Sequence, residues 1–263
     1  MKNIIAIINQ KGGVGKSTTA LTLGKAFASK NFKVLFIDLD AQGNLSYTMK
    51  AQNTTSSDLT SLELLIGKIK VHKSIQHTEQ GDIIASSPSL AIADSIILDD
   101  EKEYRLKKAL AEIHSSYDYI IIDTPPALGI LTVNALAACT GAIIPAQADI
   151  YSLQGISQLY KTIAAVKEYC NPSLKVMGIL LTRHNPRTII SRDIADMIDK
   201  TAKQFQTKLY KTYIRECTAI KESQIKQIDI FKYAQNSNAA ADYKRLADEI
   251  LLTETRGTRI YGP

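Results

Sequence analysis

Residues 4–19 read Ile4-Ile5-Ala6-Ile7-Ile8-Asn9-Gln10-Lys11-Gly12-Gly13-Val14-Gly15-Lys16-Ser17-Thr18-Thr19, and this stretch decides the fold. Its apolar, mostly β-branched start predicts a buried strand over 4–8. The glycines that follow predict a tight turn, and the segment from about Lys16 to Ser29 predicts a helix. A strand, a Gly-rich turn and a helix in that order make an anion cradle. Glycines let successive backbone N–H groups point inward, and the helix N-terminus adds the positive end of its dipole. In such a cradle Lys16 is placed to bridge the β- and γ-phosphates of a nucleotide, Ser17 to ligate Mg²⁺ and Thr18 to meet the α-phosphate. The strict pattern GxxxxGK[ST] has a glycine at position 10. Here Gln10 stands there, and Lys11 supplies a second lysine near the start of the loop.

Outward from this stretch the chain alternates short apolar runs with amphipathic segments. Strands are predicted over 34–37 (VLFI), 82–86 (DIIAS), 119–122 (YIII), 142–146 (AIIPA), 176–182 (VMGILLT) and 208–214 (KLYKTYI), with a helix over about 103–114. Near-continuous apolar strands separated by helices predict an α/β fold, a mostly parallel central sheet with helices on both faces. One domain over 1–263 is expected, with a polar loop over 50–57 and a flexible tail from about 254. Asp38 and Asp40 end the second strand and Asp123 ends another, so three carboxylates fall at the sheet's C-terminal edge, where open α/β folds bind ligands. There Asp123 stands where a carboxylate can hold a water of Mg²⁺, and one such carboxylate can orient an attacking water.

Charge is unevenly divided. Residues 1–150 carry a net charge of −1 and residues 151–263 a net charge of +7. A basic C-terminal part suits a polyanion, because clustered Lys and Arg release counterions from a phosphate backbone. No apolar run approaches the roughly 18 residues that span a bilayer, and the N-terminus lacks a cleavable signal pattern. The three cysteines, Cys139, Cys170 and Cys217, are too far apart for a CxxC knuckle and odd in number. They read as small apolar residues of a cytoplasmic protein. His72, His77, His114 and His184 show no ligand spacing.

The segments KGGVGKST (11–18), DLDAQGN (38–44) and DTPP (123–126) together resemble the deviant-Walker-A ATPases. With Tyr151-Ser152-Leu153-Gln154-Gly155 and Ala239-Ala240-Ala241-Asp242-Tyr243 in register, the chain is similar to the ParA/Soj-type DNA partition ATPases over essentially its whole length. The resemblance implies a P-loop NTPase fold and a slow, switch-like ATPase using ATP and Mg²⁺. Lys11, Gly12, Gly13, Val14, Gly15, Lys16, Ser17 and Thr18 would then form the nucleotide loop. Lys11 would reach the partner's phosphates across an ATP-sandwiched homodimer, Asp38 and Asp123 would hold waters of Mg²⁺, Asp40 would position the attacking water, and residues 124–128 would sense the γ-phosphate. The family commonly reads IPRN at its base-contacting segment, where this chain has Ile214-Arg215-Glu216-Cys217, so Arg215 and Cys217 are the altered candidates there.

Further implications are non-specific DNA binding by the ATP dimer, release stimulated by a centromere-binding (ParB-like) adaptor, and a cytoplasmic, nucleoid-associated location. The DNA-binding candidates are Arg187, Arg192, Lys221, Lys226, Lys244 and Arg245. The loop begins too near residue 10 for a preceding helix-turn-helix. The C-terminal stretch LLTETRGTRIYGP has no amphipathic membrane face. A cargo-positioning ATPase that uses nucleoid DNA would share these motifs. A non-enzymatic DNA-binding module would not need Lys11, Lys16 and Asp40 together.

Overall fold

A computed structural model describes residues 3–52, 59–113 and 115–259, the side chains of 254–259 excepted. Seven strands form one sheet: β1 (Asn3–Ile7), β2 (Val34–Asp38), β3 (Ile75–Thr78), β4 (Gly81–Ile84), β5 (Tyr119–Asp123), β6 (Gly141–Ala146) and β7 (Lys175–Leu181). Their spatial order is β3-β4-β2-β5-β1-β6-β7, and every pair is parallel except β3 with β4. The helices used below are α1 (Lys16–Ala28), α2 (Asn44–Thr48), α3 (Ile130–Ala138), α4 (Ile150–Tyr169), α5 (Ile189–Gln204), α6 (Thr218–Ile225) and α7 (Asn238–Arg259).

The apolar strands are continuous because both faces of the sheet are covered. Successive residues of a strand point to opposite faces. Ala6, Leu35, Ile37, Ile120, Ile122 and Ile144 pack into one core, while Ile5, Ile7, Phe36, Tyr119, Ile121 and Ile143 pack into the other. Helix α1 lies very close to β2. A Cβ on Gly24 would sit 2.3 Å from Cε1 and 2.5 Å from Cζ of the buried Phe36 ring. Gly24→Ala is therefore expected to destabilise the chain by about 1–3 kcal/mol through overpacking, read as an earlier midpoint in urea unfolding. An unchanged midpoint would mean that Phe36 moves aside freely.

Two expectations are corrected and one strand is added. Residues 208–214 are not an eighth strand, since only the isolated bridges Ile179–Leu209 and Thr182–Ile214 join them to β7. Between those bridges the N–H groups of Lys211 and Thr212 donate to the Glu249 carboxylate on α7, which takes them out of the ladder. The edge strand β3 goes unpredicted because Ile75-Gln76-His77-Thr78 carries one apolar residue. It is held by a two-residue turn at 79–80 leading into Gly81 at φ 114°. The helix expected over 103–114 is a 3₁₀ turn at Lys102–Tyr104 followed by an α-helix at Arg105–Ala111, with His114 outside the described residues. Most of the loop expected over 50–57 also lies outside them. The backbone of α7 is helical to Arg259, and residues 260–263 lie outside the described residues.

Candidate active site

The register of the central strands brings the carboxylates together. Ile7 at the end of β1 pairs with Asp123 on β5, and Asp123 pairs in turn with Asp38 on β2. The turn after β1 therefore rises beside two acidic strand ends, one of them beyond β5. It makes its sharp reversals at Gly13 (φ 74°) and Gly15 (φ 87°), a left-handed backbone that a side chain would strain. Gly15 also caps α1 without a side-chain acceptor, so the first-turn N–H groups of that helix are not claimed by a capping side chain.

Neighbouring elements hold the loop in shape. The Asn9 side chain donates to the Pro145 carbonyl at 2.6 Å and accepts from the Lys11 N–H at 2.9 Å. The Thr182 hydroxyl donates to the Val14 carbonyl at 2.8 Å. The Thr19 and Tyr243 hydroxyls share a hydrogen bond of 3.0 Å, which ties α1 to α7. No local sequence signal marks Asn9 or Thr182 for these roles, because each satisfies a carbonyl of an element distant in the chain.

Lys16 is buried, and its ammonium donates to the Lys11 carbonyl at 3.3 Å. Burial lowers its pKa, against the attraction of Asp123 and Asp40. The Lys11 ammonium instead pairs with Asp149 at 2.5 Å. Asp149 also caps α4, its carboxylate accepting from the Ser152 N–H at 2.9 Å. Partial burial opposes the charge on Asp149, but the hydrogen bonds from Lys11 and Ser152 outweigh it and lower its pKa.

The acidic strand ends differ in how they are satisfied. Asp38 accepts from the Asp40 N–H at 3.1 Å and from the Ser46 N–H and hydroxyl on α2 at 2.8 and 2.7 Å. Burial still pushes its pKa up to about 6 despite those bonds. Asp40 accepts from the Gln42 N–H at 3.0 Å, and its carbonyl accepts from the Ser86 hydroxyl at 2.5 Å. Asp123 is fully buried, and neither of its carboxylate oxygens has a hydrogen-bond partner of good geometry. Burial, then Asp38, raises its pKa well above the carboxylate range, with Ser17 and Lys16 acting the other way. An orphaned buried carboxylate beside a hydroxyl and an ammonium fits a bound cation and its waters. Among the described residues no three Asp, Glu, His or Cys side chains could hold a metal alone. The donor set thus suits a cation whose other ligands come from phosphate and water.

These shifts carry a pH signature. The folded, nucleotide-free chain keeps protons on the Asp38–Asp123 pair at pH values where the unfolded chain has lost them. Stability from this pair is full below about pH 4, the ordinary carboxylate range, and is lost as pH rises through about 6, where Asp38 gives up its proton. Asp123→Asn removes the coupling, so the variant should lose less stability than the parent between pH 5 and pH 7.5 in urea unfolding. Parallel profiles would contradict the assignment.

A cleft beside the loop is lined by Gly15 and Thr18, by Arg215, Glu216 and Cys217, and by Lys221 and Gln224 of α6, where the Gln224 amide donates to the Thr18 hydroxyl at 3.0 Å. The structure thus brings the altered base-segment candidates to the phosphate loop. The six DNA candidates are placed unequally. Arg187 and Arg192 are exposed around the start of α5, and Lys226 is exposed at the end of α6. Lys221 faces the cleft, Lys244 lies over the Phe231 ring at 5.5 Å, and Arg245 is paired with the buried Asp242. Among the described residues no helix is long and apolar enough to cross a membrane.

A mostly parallel sheet with a glycine loop after its central strand and acidic neighbouring strand ends defines a P-loop NTPase. A family model described as an AAA domain matches residues 2–176. The sporulation initiation inhibitor protein Soj of Bacillus subtilis is 37% identical over 95% of this chain and 98% of its own length. The chromosome partitioning protein ParA of Myxococcus xanthus is 35% identical over 96% and 89% respectively. A solved structure described as cobyrinic acid a,c-diamide synthase from Mycobacterium smegmatis, with bound ADP and magnesium, superposes with a TM-score of 0.83 at 30% identity. That match covers 98% of this chain and 97% of the other. The chain belongs to the AAA-domain P-loop ATPases of the ParA/Soj partition type.

Proposed function

We propose that the chain is an ATP-driven DNA partition switch. The observation that carries the reading is the convergence of Lys16, Ser17, Asp38, Asp40 and Asp123 on one cradle, in a chain 37% identical to Soj. The loop N–H groups and Lys16 bind the triphosphate, and Ser17 with Asp38 and Asp123 holds Mg²⁺ and its waters. The cation, when bound, offsets the phosphate charge. Asp40, fixed by Gln42 and Ser86, orients the attacking water. Lys11 leaves Asp149 and reaches the nucleotide of a second copy, closing a homodimer.

Closure joins two basic half-surfaces, so modest affinity per protomer becomes useful DNA binding only in the dimer. Exposed Arg187, Arg192, Lys221 and Lys226 are the leading contacts; in the single chain Lys244 lies over Phe231 and Arg245 pairs with Asp242. A centromere-binding adaptor stimulates hydrolysis and release. Sedimentation with ATP-Mg²⁺ is expected to show a dimer. Its affinity for random-sequence duplex should fall with salt at a log–log slope of roughly −0.9 per phosphate neutralised. A monomer in ATP or a flat salt response would overturn the reading.

A further inference from the structure

We propose that Arg215 and Asp242 form a clamp that sets how strongly this site recognises the nucleobase. The proposal rests on the nucleotide reading above and concerns the wall of the cleft rather than the phosphate loop. Asp242 lies on α7 with its side chain fully buried. It accepts three hydrogen bonds from Arg215: one from the backbone N–H at 3.0 Å, and a fork from Nε at 2.9 Å and Nη2 at 2.7 Å. Arg245 gives it a further one. A forked guanidinium–carboxylate pair whose carboxylate is buried is among the more directional of protein contacts.

Its position gives the clamp its role. The Ile214 N–H still donates to the Leu181 carbonyl of β7, but the next residue has no strand to pair with. Arg215, held at both its backbone and its side chain, carries the chain from the sheet to the start of α6 at Thr218. Along this bridge Arg215, Glu216 and Cys217 line the cleft together with Gly15 and Thr18. The residue after Asp242 on α7 is Tyr243, which bonds to Thr19 of α1. Two consecutive residues of one helix therefore tie the 214–217 segment and α1 together, and Tyr243 itself lines the cleft that would take the base. Arg215 and Asp242 are positioning residues, acting on the base through the backbone of 214–217.

The test compares ATP with ribose 5-triphosphate, which keeps the sugar and phosphates and lacks the base, each with Mg²⁺, by calorimetry. The double variant Arg215→Ala/Asp242→Ala removes both charges, so no buried carboxylate is orphaned, and Arg245 is exposed enough to turn to solvent. ATP affinity is expected to fall about tenfold. Ribose 5-triphosphate should stay within about twofold, so the preference for a base collapses. Arg215→Lys should fall between, because lysine keeps the charge and loses the fork. Equal weakening of both ligands, or an unchanged preference, would overturn the clamp. A parent protein that binds neither ligand would overturn the nucleotide reading, and the clamp with it.

Discussion

Lys16→Ala is expected to lower affinity for ATP-Mg²⁺ by two orders of magnitude or more. Two charge-assisted contacts to phosphate are each worth about 1.5–3 kcal/mol, and both leave with the ammonium. The surroundings add to the loss. Lys16 is the buried cation that offsets Asp123 and Asp40, so its removal leaves those carboxylates facing a triphosphate with less positive charge between them. The same change relieves the desolvation of the lysine itself, so folding should suffer far less than binding. Calorimetric titration with a melting curve beside it separates the two. Binding within tenfold of the parent, by a variant that melts normally, would show that the loop N–H groups hold the phosphates unaided.

Asp40→Ala is expected to slow hydrolysis by about 10²–10⁴, the range for a positioned acid or base, with ATP affinity changed only a few-fold. The backbone of Asp40 is fixed independently of its carboxylate, through its N–H to Asp38 and its carbonyl from Ser86. Truncation therefore removes the reacting group and one acceptor for the Gln42 N–H, and little else. Asp40→Asn keeps that acceptor and loses the charge, so it should be equally slow. The result would be an ATP-bound dimer that stays on DNA. Normal turnover in either variant would move the water-positioning role to another residue.

The elements of the site that lie in one stretch of chain are legible in the sequence. The strand over 4–8, the loop over 9–15 and the helix from Lys16 follow from apolar runs and glycines, and Asp38, Asp40 and Asp123 from the ends of apolar strands. Strand order is not legible, because it depends on pairing between distant segments. That order sets Ile7, Asp38 and Asp123 in one row. The partners joined by tertiary contact are equally hidden. Nothing beside Asp149 in the chain marks it as the partner of Lys11, which only the fold shows. Asp242 falls in the stretch Ala239–Tyr243, and only the fold shows that it is buried against Arg215. The segment over 208–214 misleads for the opposite reason. Its local pattern suits a strand, and the Glu249 carboxylate takes the hydrogen bonds a strand would need.

The most direct measurement is binding of the purified protein to random-sequence duplex DNA in ATP-Mg²⁺, in ADP-Mg²⁺ and without nucleotide. Lys11 is held by Asp149 in the single chain, and its release to a partner's nucleotide is what joins the basic surfaces. The expected result is binding in ATP-Mg²⁺ alone, lost when salt is raised. Equal binding in all three states, or none in any, would contradict a DNA switch and leave an ATPase whose target is a protein.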